Sequence, residues 1–143
     1  MISRLLLLGL LGSLALATPG LAAGQHNKGE KPLSISQGQK VELTDFLVTG
    51  KTTIFEFTSE YCPPCRAYAE PLLALHQQGS DLAVVKVDIN RPEYHKIDWK
   101  SPVAEQYGMN SIPHFKVFGP DGKLIAEGRE GRQLVDQWIE RLK

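Results

Sequence analysis

Cys62 and Cys65 are the only cysteines of this 143-residue chain, and Pro63 and Pro64 separate them. Two thiols at that spacing can close a disulfide with each other and exchange it for one in another molecule. The reactive species is the thiolate. A free cysteine ionises near about 8.5, and a helix N-terminus lowers that value. If a helix opens at the pair, the first sulfur stands ahead of it, exposed, and can attack. The second stands one turn in, more buried, and can resolve the resulting mixed disulfide.

Other uses of a paired cysteine fit less well. Structural zinc needs four ligands. The histidines are His26, His76, His95 and His114, with ten residues between Cys65 and His76 and eighteen between His76 and His95. A finger pattern places its histidines about three to five apart. Covalent haem attachment needs a histidine directly after the second cysteine, and Arg66 stands there. A purely structural disulfide across so short a loop removes little entropy from the unfolded chain.

The elements that would position the pair are legible around it. Thr52 to Thr58 (TTIFEFT) is β-branched and aromatic, which predicts a central strand. A helix follows from the cysteines to about Gln78. Its first turn tolerates Pro63 and Pro64 because those positions need no intrahelical N–H, and Pro71 predicts a kink. Leu82 to Ile89 predicts a second buried strand. Arg91 to Ser101 reads as irregular, and Pro102 to Tyr107 as a short helix ended by Gly108. Phe115–Phe118 and Lys123–Ala126 flank the turn Gly119-Pro120-Asp121-Gly122. Leu134, Val135, Trp138, Ile139 and Leu142 share one face of a last helix. Upstream, Leu33–Ser36, a Gln37-Gly38 turn and Val41–Leu43 read as a short hairpin. The order β-α-β then β-β-α predicts an α/β domain, a mixed sheet with helices on both sides.

The N-terminal residues differ in kind. Arg4 is the only charge among the first 23, and Leu5 to Ala17 is apolar with small residues after it. This predicts a secretory signal peptide over 1–23, a flexible linker over 24–32 and the folded domain over 33–143. The apolar run is shorter than the about 20 residues of a membrane anchor, so no stable membrane insertion is expected after cleavage. Lys+Arg and Asp+Glu number 16 each, which argues against a nucleic-acid partner.

The strand leading into CPPC, the strand Val84 to Ile89, the segment Tyr107-Gly108-Met109-Asn110-Ser111-Ile112-Pro113, the Asp121-Gly122 hairpin and the amphipathic last helix together resemble the thioredoxin superfamily, from about Gly38 to Leu142. Gly38 to Leu47, followed by Gly50-Lys51 and CPPCR, resembles the periplasmic TlpA-like reductases. Tyr61 departs from the family's usual tryptophan, Pro71 falls one position later than usual, and the stretch from Arg91 to Ser101 is longer. That stretch is either a partner contact or a plain surface insertion.

The resemblance implies a thioredoxin-like fold, Cys62 and Cys65 as the catalytic pair, and a cis bond at Ile112-Pro113. It also implies substrate contacts at Tyr61, Pro63, Pro64, Ile112 and Pro113, and no cofactor. On the chain alone Glu56 is equally a solvent-facing strand charge or a buried group. The resemblance makes it a third catalytic residue, a buried carboxylate that moves the proton of Cys65, with Lys86 beside it. His114 is either a group near the thiolate or an ordinary strand side chain. The expected function is thiol–disulfide exchange on protein substrates in the periplasm by a monomer, in the reducing direction, with a membrane thiol reductant as electron donor. A thiol oxidase of the same fold and a non-catalytic binding module are the alternatives. Potentials across such proteins span about 150 mV, about 7 kcal/mol, and CPPC does not reveal its place in that range.

Overall fold

A computed structural model describes residues 29–143. The expected signal peptide, and the expected linker up to residue 28, lie outside the described residues. The elements are β1 (Leu33–Ile35), a 3-10 turn (Leu43–Phe46), β2 (Thr52–Thr58), α1 (Pro63–Gln78), β3 (Leu82–Asp88), α2 (Pro102–Gln106), β4 (His114–Phe118), β5 (Leu124–Glu127) and α3 (Gly128–Glu140). They form one five-stranded sheet in the order β1-β3-β2-β4-β5. β2 and β3 are parallel, a pairing that needs a long crossover, and α1 supplies it. β4 and β5 add antiparallel to the other side.

Alternation along the strands builds two cores. Phe55, Phe57, Val85 and Val87 face one way and pack with Leu43 and Val103. Ile54, Val84, Phe115 and Val117 face the other way and pack with Leu72 and Leu75 of α1 and Val135 of α3. The sheet is therefore the middle of three layers. Phe55 and Phe57 each contribute about 1.5–3 kcal/mol on one face of TTIFEFT, and the buried Ile54 holds the other. By the same alternation Glu56 shares the face of Ile54, towards α1.

The expected N-terminal hairpin does not form. Leu33 to Ile35 pairs parallel with Val85 to Val87 at the sheet edge instead. The chain turns through Ser36 and Gln37, both at positive φ, and Gly38 donates its N–H to the Asp88 carbonyl at 2.9 Å. Gly38 is required there: its φ is +81°, and a Cβ would lie 2.7 Å from the Arg91 backbone nitrogen. Val41 to Leu43 is loop and 3-10 turn, tied to α2 through the Gln106 side chain. α1 runs through Pro71 as one helix and ends where the Gly79 N–H meets the Leu75 carbonyl.

Candidate active site

The loop after β2 delivers Cys62 as the N-cap of α1, with Pro63 and Pro64 in the first helical positions. Cys62 and Cys65 are joined in a disulfide, their Cα atoms 5.2 Å apart. The Cys65 N–H points at Cys62 Sγ from 3.2 Å, so a sulfur fills the place that a serine or aspartate oxygen usually takes at a helix start. A thiolate there after reduction would receive a backbone N–H and the positive pole of α1.

Cys62 is not exposed as the spacing predicted. It is 2% accessible and Cys65 is 3%. In the oxidised pair each sulfur covers the other, and Cys62 Sγ also lies 3.7 Å from the Ile112 carbonyl oxygen. The Ile112-Pro113 peptide is cis, and the Pro113 carbonyl accepts from Arg132 Nη2 at 2.7 Å. Tyr61 and Ile112 are half-buried, Pro63 and Pro64 exposed and Pro113 buried. The five expected contact residues thus come from two separated segments of the chain that meet at the pair.

Glu56 is fully buried and sits beside Lys86 in the β2–β3 register. Lys86 Nζ is 4.0 Å from its carboxylate. Burial pushes the Glu56 carboxyl up to about 7, against the opposing pull of Lys86 and a smaller one from Thr58. The solvent-facing alternative is therefore excluded by its position. Such a group takes or gives a proton near neutral pH, which is what relaying the resolving thiol's proton needs. Cys65, Lys86, Thr58, Ser59 and Asp88 share one surface cavity of about 210 Å³. That gives the resolving side of the pair a path to water.

The stretch 91–101 is irregular yet tightly held, and its hub, Asn90, carried no signal beyond a turn residue after a strand. Asn90 Oδ1 accepts from Ser59 Oγ at 2.7 Å and from the Asp98 N–H at 3.2 Å. Its Nδ2 donates to the carbonyls of Tyr94 and Lys96 at 3.2 and 2.6 Å. Arg91 clamps the buried Asp98 with two bonds, of 2.7 and 3.1 Å, and holds its carboxyl below the usual range. Ser59 Oγ also accepts the Tyr61 N–H, so the network reaches the residue before Cys62. It sets His95 Nδ1 3.3 Å from Tyr61 Oη, beside the partly exposed Trp99.

His114 opens β4 next to Pro113, edge-on to Phe57. Its Nε2 is buried without a hydrogen-bond partner. Burial, then Lys116, lowers its pKa.

A family model described as Thioredoxin matches residues 36–141. A thioredoxin of Mycoplasmoides gallisepticum is 30% identical over 104 residues, 73% of this chain and 94% of that one. A thiol:disulfide interchange protein TxlA homolog of Synechocystis is 31% identical over 113 residues, 75% of this chain and 58% of that one. Against other curated relatives the chain spans less of the partner, 20% of one and 62% and 65% of two more. A mutant thioredoxin of Halobacterium salinarum superposes with a TM-score of 0.52 at 22% identity, covering 79% of this chain and 92% of that one.

Proposed function

Because this chain belongs to the thioredoxin family, we propose that it is a thiol–disulfide oxidoreductase that reduces protein disulfides after export to the periplasm. The observation that carries the reading is the Cys62–Cys65 disulfide at the N-terminus of α1, against the Ile112 carbonyl and ahead of a buried Glu56.

The reduced pair starts the cycle. The Cys62 thiolate attacks one sulfur of a client disulfide, and the client's other sulfur leaves as a thiolate. Cys65 gives up its proton, for which the buried Glu56 carboxylate is the proposed acceptor, and attacks Cys62 Sγ. The Cys62–client bond breaks and the second client thiolate leaves. Two electrons pass to the client, whose two sulfurs take up protons, and Cys62–Cys65 is left as the disulfide. A thiol reductant, expected at the membrane, then returns the pair to its dithiol form.

The likeness to TlpA-like reductases supports the direction, and the apolar run after Arg4 supports export. A redox titration against glutathione, paired with insulin reduction by dithiothreitol, tests the direction. The expected potential lies nearer about −270 mV than about −120 mV, with insulin turnover. A potential at the oxidising end would make the protein an oxidase. N-terminal sequencing of periplasmic protein should find a start between Thr18 and Gly24. Intact Met1 in a membrane fraction would refute export.

A further inference from the structure

On the side of the pair away from the 91–101 stretch, Ser111, Pro113, His114, Gly128, Arg129 and Arg132 line a cavity of about 280 Å³. Two of these side chains carry a full positive charge and none a negative one. The adjoining acid, Glu127, is drawn onto Lys116 at 2.5 Å. Arg132 is anchored at the rim by the Pro113 carbonyl, 2.7 Å away. Arg129 has no hydrogen bond or ion pair among the described residues. His114 contributes a buried Nε2 without a partner. Both arginines lie in the first two turns of α3, where the helix dipole disfavours cations. Their charge gains nothing from the helix dipole there, and neither makes an ion pair among the described residues.

Pro113 forms a wall of this cavity, and the Ile112 carbonyl on its other side is 3.7 Å from Cys62 Sγ. A chain whose cystine is under attack at Cys62 therefore carries its neighbouring residues past the cavity. Guanidinium groups bind carboxylates through paired, charge-assisted hydrogen bonds. We infer that the cavity is a subsite for a carboxylate of the client polypeptide, supplied by an Asp or Glu flanking the client cystine. This rests on the proposed reduction of protein disulfides and adds a chemical preference to it.

The test uses the reduced protein and three disulfide peptides that differ only in one residue beside the cystine: Glu, Gln or Lys. Each rate is divided by that of a simple dithiol on the same peptide, which removes intrinsic reactivity. The Glu peptide should react about tenfold faster than the Gln peptide at low salt, as two favourable charge contacts allow, and the Lys peptide slower than both. The Glu/Gln ratio should fall several-fold in Arg129→Gln, a variant that breaks no internal contact, and to near one in Arg129→Gln with Arg132→Gln. Raising salt should shrink it in the wild type. Equal ratios for all three peptides, with insulin still reduced, would overturn the subsite and leave the proposed function standing. A preference for a small dicarboxylate disulfide that no peptide shares would overturn the client as source. No turnover of any disulfide would remove both.

Discussion

Glu56 offers the most direct measurement of what the buried site costs the fold. Its carboxyl titrates near about 7 in the folded chain, against an ordinary value of 4.5, chiefly because it is buried. The folded state therefore holds a proton that the unfolded state has already released between those values. Stability must fall as pH rises through that window, and the loss is complete above about 7. At about 1.4 kcal/mol per pH unit, the interval from 4.5 to about 7 amounts to about 3 kcal/mol. Lys86, 29% accessible at 4.0 Å, is already included as a partial offset. Glu56→Gln keeps the shape and removes the ionisation.

The assay is urea unfolding of the oxidised protein, wild type and Glu56→Gln, from about pH 4 to 8. Other groups bend the wild-type curve. His76 and His114 are lowered by burial, so they lose stability as pH falls below about 6.5, and Asp88 is raised. The difference between the two proteins cancels these contributions to first order. That difference should shift in favour of the glutamine variant by about 3 kcal/mol between pH 4.5 and 8, most of it before pH 7. A pH-independent difference would show that Glu56 ionises in the fold as it does in the open chain. The proton-relay role would then lose its physical basis.

Cys65→Ser should accumulate mixed disulfides with client proteins through Cys62, and Cys62→Ser should accumulate none; gel analysis without reductant reads both, and trapping through Cys65 would reverse the assigned order of attack. Asn90→Ala deletes the four side-chain hydrogen bonds of the hub and should cost about 2–4 kcal/mol in urea unfolding, with faster proteolysis within 91–101; unchanged stability would mean the segment holds without it. Gly131→Ala would put a Cβ 2.7 Å from the Phe115 carbonyl oxygen. It should destabilise by about 1–3 kcal/mol despite alanine's better helix propensity, and a higher melting temperature would contradict that packing.

Elements defined by local pattern were legible in the sequence. TTIFEFT, the helix from the cysteines to Gln78 and the Gly119–Gly122 hairpin sit where composition and turn chemistry put them. The misread segment, Leu33 to Leu43, had every local mark of a hairpin. Its partner is β3, about fifty residues away, and no short-range pattern encodes that pairing. Positive φ at Ser36 and Gln37, in residues that do not advertise it, turns the chain away from itself. Cys62 was misread for a related reason: its exposure depends on the Ile112 carbonyl and the paired sulfur, not on its place ahead of a helix.

The same distinction separates the two halves of the candidate site. Cys62 and Cys65 declare themselves through residue type and spacing, and Glu56 does so once the family likeness is added. The surroundings that would decide how a client sits do not. Asn90 fills both ends of its carboxamide with groups from Ser59, Tyr94, Lys96 and Asp98, a pattern visible only after folding. Ordering an irregular segment costs about 1–2 kcal/mol per residue in backbone entropy. The Asn90 hub and the half-buried Arg91–Asp98 ion pair offset that cost, whether the segment meets a partner or is a plain insertion. Through Ser59 they tie the segment to Tyr61. On the opposite side Arg132 ties α3 to Pro113. The disulfide thus lies between two walls, one aromatic and fixed to Tyr61 beside Cys62, the other cationic and fixed to Pro113 beside the Ile112 carbonyl that meets Cys62 Sγ. Under the proposed function, a client's sequence would influence its rate through both walls while the exchange chemistry stays the same.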